Sequence, residues 1–185
     1  VDLIGGKVDF LFSEKKTAAE MYDSLTNLMN DIYVKERSFS VTANLIVRAK
    51  LFEKIGLFDS ELQSGGDSEW TSRAVHHGYQ LSYVPTCVVS HPARSFKELL
   101  KKRKRVAKGS YDKQRKQGVR ALKILTTSFR SALPGRLRHF RRLIQERGAP
   151  EMNKKLLSIW CISLLCSWAL SLIHISEPTR RTPIS

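Results

Sequence analysis

A short acidic stretch contains the residues of this sequence that are best suited to chemistry. Asp67 and Glu69 follow the pair Gly65-Gly66 and stand at the start of a predicted helix. A helix N-terminus stabilises a carboxylate in its ionised form, and this is the form that a general base needs. The same position suits a residue that only caps the helix. Spacing alone favours the capping role for Asp67, with the general base as the alternative.

Short motifs lie on both sides of this stretch in a fixed order. Upstream is Thr42-Ala43-Asn44, and downstream are Arg73, Gly78-Tyr79, Tyr83-Val84-Pro85 and Val89-Ser90-His91-Pro92. Their order and spacing resemble the second half of the catalytic domain of family-2 glycosyltransferases, which have the GT-A fold. The resemblance covers roughly residues 1 to 110, and it specifies the family more closely than the sugar.

The resemblance implies transfer of a sugar, with inversion, from a nucleotide-sugar donor to a saccharide or lipid-linked acceptor of the cell envelope. It places the general base, which takes a proton from the acceptor hydroxyl, at Asp67. Many relatives have Glu-Asp where this sequence has Gly66-Asp67, so the aspartate is retained. Asn44 matches a position near the donor or acceptor sugar, where its amide could bond sugar hydroxyls. The alternative for Asn44 is a turn at a strand edge.

Three further residues of the predicted helix have roles that the resemblance suggests. Glu69 cannot share a helical face with Asp67, and it is either a solvated acid or a contact for the acceptor. Trp70 either stacks on a sugar or fills the core. Arg73 matches an arginine of the family and is expected to support the acidic loop by pairing with a carboxylate.

His91 ends an apolar strand, and open α/β sheets bind ligands at the carboxyl ends of their strands. The resemblance makes His91 an auxiliary ligand of the metal or the diphosphate, with a structural histidine as the alternative. Mg or Mn prefers carboxylate to imidazole, so the main ligands, the Asp-x-Asp motif of the family, are expected before residue 1. We therefore expect a fragment that neither binds nucleotide-sugar properly nor turns over alone.

Strands that alternate with helices predict an α/β fold, here a partial GT-A, Rossmann-like sheet with flanking helices. Thr17 and Glu20 fit a capping box, and Gly56 and Gly78 are expected to end two helices. Predicted strands lie at residues 1–12, 39–48, 80–84 and 87–90, and predicted helices lie at residues 17–32, 49–55 and 67–77. The half-domain is therefore predicted over residues 1–93.

Positive charge is concentrated after this half-domain. The formal net charge is +15, and residues 94–155 contain 21 Lys and Arg against 4 Asp and Glu. Apolar residues recur at helical spacing within residues 119–133 and 136–147, a pattern typical of basic amphipathic helices on an anionic membrane surface. A solvated helical hairpin packed on the domain is the alternative.

A nucleic-acid-binding module without catalysis is a further interpretation of the basic residues. Stacking platforms for single strands need several aromatic side chains, and residues 96–116 contain only Phe96 and Tyr111. This composition makes nucleic acid a disfavoured partner.

The C-terminal end has two predicted parts. Residues 156–169 are apolar but shorter than the about 20 residues of a membrane span, which predicts an interfacial or buried helix. From about Leu170 the sequence resembles a translated sequencing adaptor, so residues 170–185 are predicted to be an artefactual tail.

The three cysteines, Cys87, Cys161 and Cys166, have no Cys-x-x-Cys spacing. Their odd number argues against a disulfide framework, and their spacing argues against a zinc site. A reducing compartment is therefore expected. Together with the basic helices, this predicts a peripheral protein on the cytoplasmic face of a membrane.

Overall fold

The computed structural model describes residues 1–116 and 136–176, with side chains described over residues 1–109 and 137–168. The chain divides into two compact units. The first comprises Val1–Glu14 and Thr26–Ala93, and the second comprises Lys15–Leu25 and Arg94–Ser185. The division after Ala93 falls where the charge pattern changes. Segment Lys15–Leu25, which the sequence analysis placed in the first domain, groups instead with the C-terminal helices.

The first unit is built on a three-stranded mixed sheet. Strand β1 (Leu3–Leu11) is central, with β2 (Leu45–Val47) antiparallel on one side and β3 (Leu81–Pro92) parallel on the other. Strands and helices alternate along the chain of this unit. The predicted α/β class, a partial GT-A sheet with flanking helices, is confirmed.

Strand β3 is continuous where the sequence analysis predicted two strands. Val84 lies opposite Gly6 but Val88 lies opposite Lys7, so the three residues that begin at Pro85 bulge out of the ladder. Proline has no amide hydrogen for a ladder and is tolerated at such a bulge. The proline that was expected to end a strand therefore marks an irregularity within one.

The predicted helix at residues 17–32 is two helices. Helix α1 spans Ala18–Thr26 and helix α2 spans Asn30–Arg37. Between them, Leu28 has a φ of 54°, a left-handed conformation that a continuing helix does not allow. The apolar periodicity runs across this break, which is why the pattern alone did not reveal it.

The predicted strand at residues 39–48 is reduced to β2. Thr42–Asn44 form a 3₁₀ turn before it. The Asn30 side chain accepts a hydrogen bond from the Val41 amide and donates one to the Asn44 carbonyl. These backbone groups are therefore bound by a side chain and not by a neighbouring strand.

Two short helices complete the core of the first unit. Helix α3 (Lys50–Ile55) is followed by Gly56, with a φ of 81°, and helix α4 (Gly66–His76) is followed two residues on by Gly78, with a φ of 87°. The glycine stops predicted for both helices are confirmed, because this conformation favours glycine. The buried apolar cluster of this unit comprises Leu3, Leu51, Ile55, Trp70 and Ala74.

The second unit contains helix α1 and the helices that follow Arg94. These are α5 (Phe96–Lys116), α6 (Arg136–Arg147), a 3₁₀ helix (Pro150–Lys155) and α7 (Leu156–Ser176). The predicted capping box at the start of α1 is confirmed. The Thr17 amide and hydroxyl each donate to Glu20 at 2.7 Å, and the Glu20 amide donates back to the Thr17 hydroxyl.

A buried ion pair joins α1 to the start of α5. Asp23 is fully buried and accepts hydrogen bonds from the Arg94 amide at 3.0 Å and from its guanidinium at 3.1 Å. Burial lowers the pKa of the neighbouring Lys102 to about 8, and the charge of Arg94 adds to this effect. Removing one member of a buried pair leaves the other charge uncompensated, so this contact is costly to break.

Two predicted segments lie partly or wholly outside the described residues. The amphipathic segment at residues 119–133 falls within residues 117–135, and the predicted tail is described only as far as Ser176, where α7 ends. The helix predicted at residues 156–169 therefore continues further than expected. Within residues 1–116 and 136–176, no helix combines the length and the apolar character that crossing a membrane requires.

Candidate active site

The Asp67 carboxylate lies in the first turn of α4 and is half-buried. Gly65, with a φ of 83°, occupies the cap position, so Asp67 is not the cap residue that spacing favoured. Its Oδ1 accepts a hydrogen bond from the Ser68 amide at 2.8 Å, and its Oδ2 accepts one from the Thr42 amide at 3.4 Å. An ionised carboxylate has about four acceptor positions, so capacity for a further proton donor remains.

Asn44 lies in the 3₁₀ turn that faces the bulge of β3. Its side chain is buried, and its amide nitrogen donates to the Lys7 carbonyl at 2.7 Å and to the Cys87 carbonyl at 2.9 Å. A side-chain amide has two donor hydrogens, and both are used here by the backbone of β1 and β3. Asn44 therefore connects the two strands across the bulge, from a turn directly before β2 as the alternative interpretation expected. Its contact with a sugar stays a prediction.

Gly6 makes the approach of Asn44 possible. A Cβ on Gly6 would lie 2.3 Å from the Asn44 amide nitrogen and 2.4 Å from the Cys87 carbonyl oxygen. Real Cβ atoms do not approach other atoms so closely. The tight point predicted in the first strand at Gly5-Gly6 thus has a specific cause, the Asn44 side chain lying against β1.

Glu69 and Arg73 form an ion pair one turn apart on α4. The Arg73 guanidinium donates to Glu69 at 2.9 and 3.2 Å, and also to the carbonyls of Ile55 and Leu57 at the end of α3. Arg73 therefore pairs with a carboxylate, as the sequence analysis expected. Glu69 is paired with Arg73 and its side chain is 30% exposed. Its contact with the acceptor stays a prediction.

Trp70 lies in the core of the first unit with 0% of its surface exposed. Its indole nitrogen donates to the Gly56 carbonyl at 2.7 Å, and its ring lies 4.8 Å from that of Phe52 and 5.2 Å from that of Phe58. A ring with no exposed face cannot stack on a sugar in this structure. The core interpretation of Trp70 is the one that its surroundings support.

His91 lies near the carboxyl end of β3, opposite Phe10 of β1. Its ring is half-buried and edge-on to that of Phe10, with Nδ1 2.7 Å from the Pro92 carbonyl oxygen. Phe10 is three residues beyond Lys7 along β1, which places His91 roughly 10 Å further along the sheet than the bulge. The metal role of His91 stays a prediction.

The residues predicted to hold Mg or Mn do not form a cation site by themselves. Within the described side chains, no three His, Cys, Asp or Glu residues come close enough together to hold a metal ion. Such cations require several oxygen ligands. His91 offers one ring nitrogen besides the one that faces Pro92, and one nitrogen cannot by itself hold such a cation.

A set of buried polar residues that no sequence motif predicts lies behind the Asp67 carboxylate. Asn30, Ser40 and Thr71 are almost completely buried. The Ser40 hydroxyl donates to the Asn30 side chain, and the Ser40 amide donates to the Thr71 hydroxyl. Each is a common surface residue type, so composition offers no signal for them.

Comparison with known proteins links this arrangement to a family. A family model described as "Glycosyl transferase family group 2" matches residues 1–177. The chain is also similar to "Glycosyltransferase AglE" of Haloferax volcanii, with 47% identity over 109 residues. That match covers 59% of this chain and 36% of the relative, so the chain spans about a third of the relative's length. No solved structure matches this chain. Because the family model covers nearly all of its 185 residues, the chain belongs to glycosyl transferase family group 2.

Proposed function

We propose that this chain forms the acceptor side of an inverting glycosyltransferase, with Asp67 as the general base. The donor would be a nucleotide-sugar, and the acceptor a saccharide or a lipid-linked molecule of the cell envelope. The observation that carries the proposal is the position of Asp67 in a chain of this family. Its carboxylate is half-exposed, held by two backbone amides and placed at a helix N-terminus.

In the proposed reaction, a hydroxyl of the acceptor approaches the open side of the Asp67 carboxylate. Asp67 takes the hydroxyl proton as the oxygen forms a bond to the anomeric carbon of the donor sugar. The bond from that carbon to the diphosphate breaks on the opposite face, and its electron pair leaves with the nucleoside diphosphate. One displacement of this kind inverts the configuration of the anomeric carbon.

We propose Mg or Mn as the cation of this reaction; when bound, it would supply positive charge against the departing diphosphate. Its oxygen ligands would come from outside the described residues. His91 remains the residue proposed to assist them, through the ring nitrogen that does not face Pro92.

The test of the base is Asp67→Asn in a catalytically competent version of the protein that includes this chain. Turnover should fall by roughly 10²–10⁴-fold, while the dissociation constant of the donor stays within about twofold, because the base acts on the acceptor. Asp31→Asn is the matched control, since Asp31 occupies the same place in the first turn of α2. Turnover of Asp67→Asn equal to that of Asp31→Asn would refute the proposal.

We further infer that the second unit binds an anionic membrane surface, which would place the protein at the cytoplasmic face of a membrane. Helix α5 has a stripe of exposed cations at helical spacing, formed by Lys97, Lys101, Lys104, Arg105 and Lys108. Helix α7 has three apolar residues on one side, at spacings of eight and three residues. Their exposed fractions are 65% for Leu157, 48% for Leu165 and 62% for Trp168. Exposed cations attract anionic lipid and exposed apolar side chains enter the headgroup boundary, and the second unit has both kinds of side chain, on α5 and α7 respectively.

Vesicle flotation tests this membrane proposal. The chain should bind vesicles that contain an anionic lipid, and binding should fall as salt screens the charges. Exchange of Lys101, Lys104 and Lys108 for Glu should abolish it, whereas Lys54→Glu in the first unit is the control. Binding to single-stranded nucleic acid but not to vesicles would favour the nucleic-acid module instead.

A further inference from the structure

A buried polar cluster connects β1, the turn at Thr42 and the start of α4. Its members are Asn30, Ser40 and Thr71, of which the first is 1% exposed and the other two are fully buried. Buried polar groups are costly unless they are hydrogen-bonded, and a fully bonded cluster is rigid. The bonds of this cluster therefore indicate which parts of the unit are held at fixed positions.

Asn30 holds the segment from Ser40 to Asn44 against β1. Its Oδ1 accepts hydrogen bonds from the Ser40 hydroxyl at 3.1 Å and from the Val41 amide at 3.0 Å. Its Nδ2 donates to the Gly6 carbonyl at 2.9 Å and to the Asn44 carbonyl at 3.2 Å. These four bonds use both donor hydrogens and both acceptor positions of the side chain, so the segment is bound at both of its ends.

Thr71 connects this segment to α4. Its hydroxyl oxygen accepts a hydrogen bond from the Ser40 amide at 3.1 Å and donates one to the Asp67 carbonyl at 2.7 Å. One side chain thus joins Ser40, two residues before Thr42, to Asp67, whose carboxylate accepts the Thr42 amide. The distance between the Thr42 amide and that carboxylate is 3.4 Å, long for a hydrogen bond, so this contact alone holds the carboxylate weakly.

We propose that Thr71 is the positioning residue of Asp67. It holds the Thr42 amide against the carboxylate, so that each carboxylate oxygen is bound by one backbone amide and the remaining acceptor positions face the acceptor. This inference rests on the proposed role of Asp67 as the base. Thr71 itself touches no substrate in this arrangement, because it is fully buried one turn behind Asp67. Its contribution is the orientation of the carboxylate, and loss of orientation in an active site lowers the rate of the chemical step.

The kinetic test compares Thr71→Val with Thr71→Ser in a catalytically competent version of the protein. Valine keeps the shape and removes the hydroxyl, and serine keeps the hydroxyl. In Thr71→Val, turnover per donor-binding site should fall about tenfold or more, with the KM for the donor unchanged. In Thr71→Ser, turnover per site should lie within about threefold of the wild-type value. A merely structural role would reduce the number of donor-binding sites and leave turnover per site unchanged, which would overturn the proposal.

A second variant provides for the case in which Thr71→Val does not fold. Thr71→Cys has a side chain of similar size with a weak donor, and it should show the same loss of turnover per site. In the background of Asp67→Asn, either Thr71 variant should have little further effect, because residues that act as a unit are not additive. Full additivity would mean that Thr71 acts independently of Asp67 and would refute its positioning role.

Nuclear magnetic resonance of the chain itself separates this inference from the proposed function. In the wild type, the Thr42 amide resonance should shift as the Asp67 carboxylate is titrated, and in Thr71→Val the shift should fall by about half or more, since the contact is distance-dependent. If the Thr42 amide resonance of Thr71→Val shifts as much as that of the wild type, the positioning role alone is overturned. Loss of the shift together with wild-type turnover of Asp67→Asn overturns the base, and the positioning role with it.

Discussion

Gly6→Ala is the substitution whose effect the structure specifies most closely. The new Cβ would lie 2.3 Å from the Asn44 amide nitrogen and 2.4 Å from the Cys87 carbonyl oxygen. Asn44 would have to move, and its hydrogen bonds to the carbonyls of Lys7 and Cys87 would be lost or lengthened. The perturbation therefore acts on the bulge that joins β1 to β3.

Two costs and one gain determine the expected magnitude. Overpacking in a well-packed interior costs roughly 1–3 kcal/mol, and two lost hydrogen bonds cost about 1 kcal/mol each. Replacing glycine restricts the unfolded chain and returns roughly 0.5–1 kcal/mol. Gly6→Ala should therefore lower the free energy of unfolding of the first unit by about 3 kcal/mol.

Urea-induced unfolding followed by Trp70 fluorescence measures this loss, in a background where Trp160 and Trp168 are replaced by Phe. Gly66→Ala is the matched control, because a Cβ on Gly66 would meet no atom within 4 Å. It should be neutral or slightly stabilising, since alanine is the better helix former. Equal urea midpoints for Gly6→Ala and Gly66→Ala would refute the reasoning.

A double-mutant cycle tests the cause as well as the size. With Asn44→Ala in the background, one of the two colliding groups is absent, although the Cys87 carbonyl remains. The cost of Gly6→Ala should then shrink by about 2 kcal/mol, because the two hydrogen bonds of Asn44 are already absent. An unchanged cost would place the collision elsewhere than at Asn44.

Three further changes concern charged side chains and a helix cap. The pKa of Lys102 is about 8 in the folded chain against an ordinary value of 10.5. Between about pH 8 and pH 10.5 the unfolded state therefore binds more protons than the folded state. The free energy of unfolding rises with pH across this window, by at most roughly 3 kcal/mol. Lys102→Met should remove this rise, and urea unfolding from about pH 7 to about pH 10 measures the difference between the two proteins. Arg73→Lys should cost about 2 kcal/mol in urea unfolding, because one ammonium cannot replace the guanidinium bonds to Glu69 and to the end of α3; a loss no larger than that of Lys50→Arg would contradict this. Thr17→Ala should cost about 1 kcal/mol in the thermal unfolding of the second unit, and an unchanged midpoint would show that the capping box contributes nothing.

Features that depend on local signals could be determined from the sequence by itself. The capping box at Thr17 and the helix ends at Gly56 and Gly78 follow from neighbouring residues, because caps and left-handed turns are formed within a few residues. The family follows from the order of short motifs around Asp67, which requires no knowledge of their contacts. The α/β class follows from alternation of the two periodicities along the chain.

Features that depend on distant partners were decided by the tertiary structure alone. The Asn44 side-chain amide donates to the carbonyls of Lys7 and Cys87, which lie 37 and 43 residues away in the chain. No local sequence pattern predicts partners at such a distance. The two predicted strands around Pro85 are one strand because β1 pairs with both parts. Long-range pairing of this kind also closes the cluster of Asn30, Ser40 and Thr71 behind Asp67. A polar residue becomes buried only when another segment supplies its hydrogen bonds, so the side chains that position the carboxylate are visible only once the segments have met.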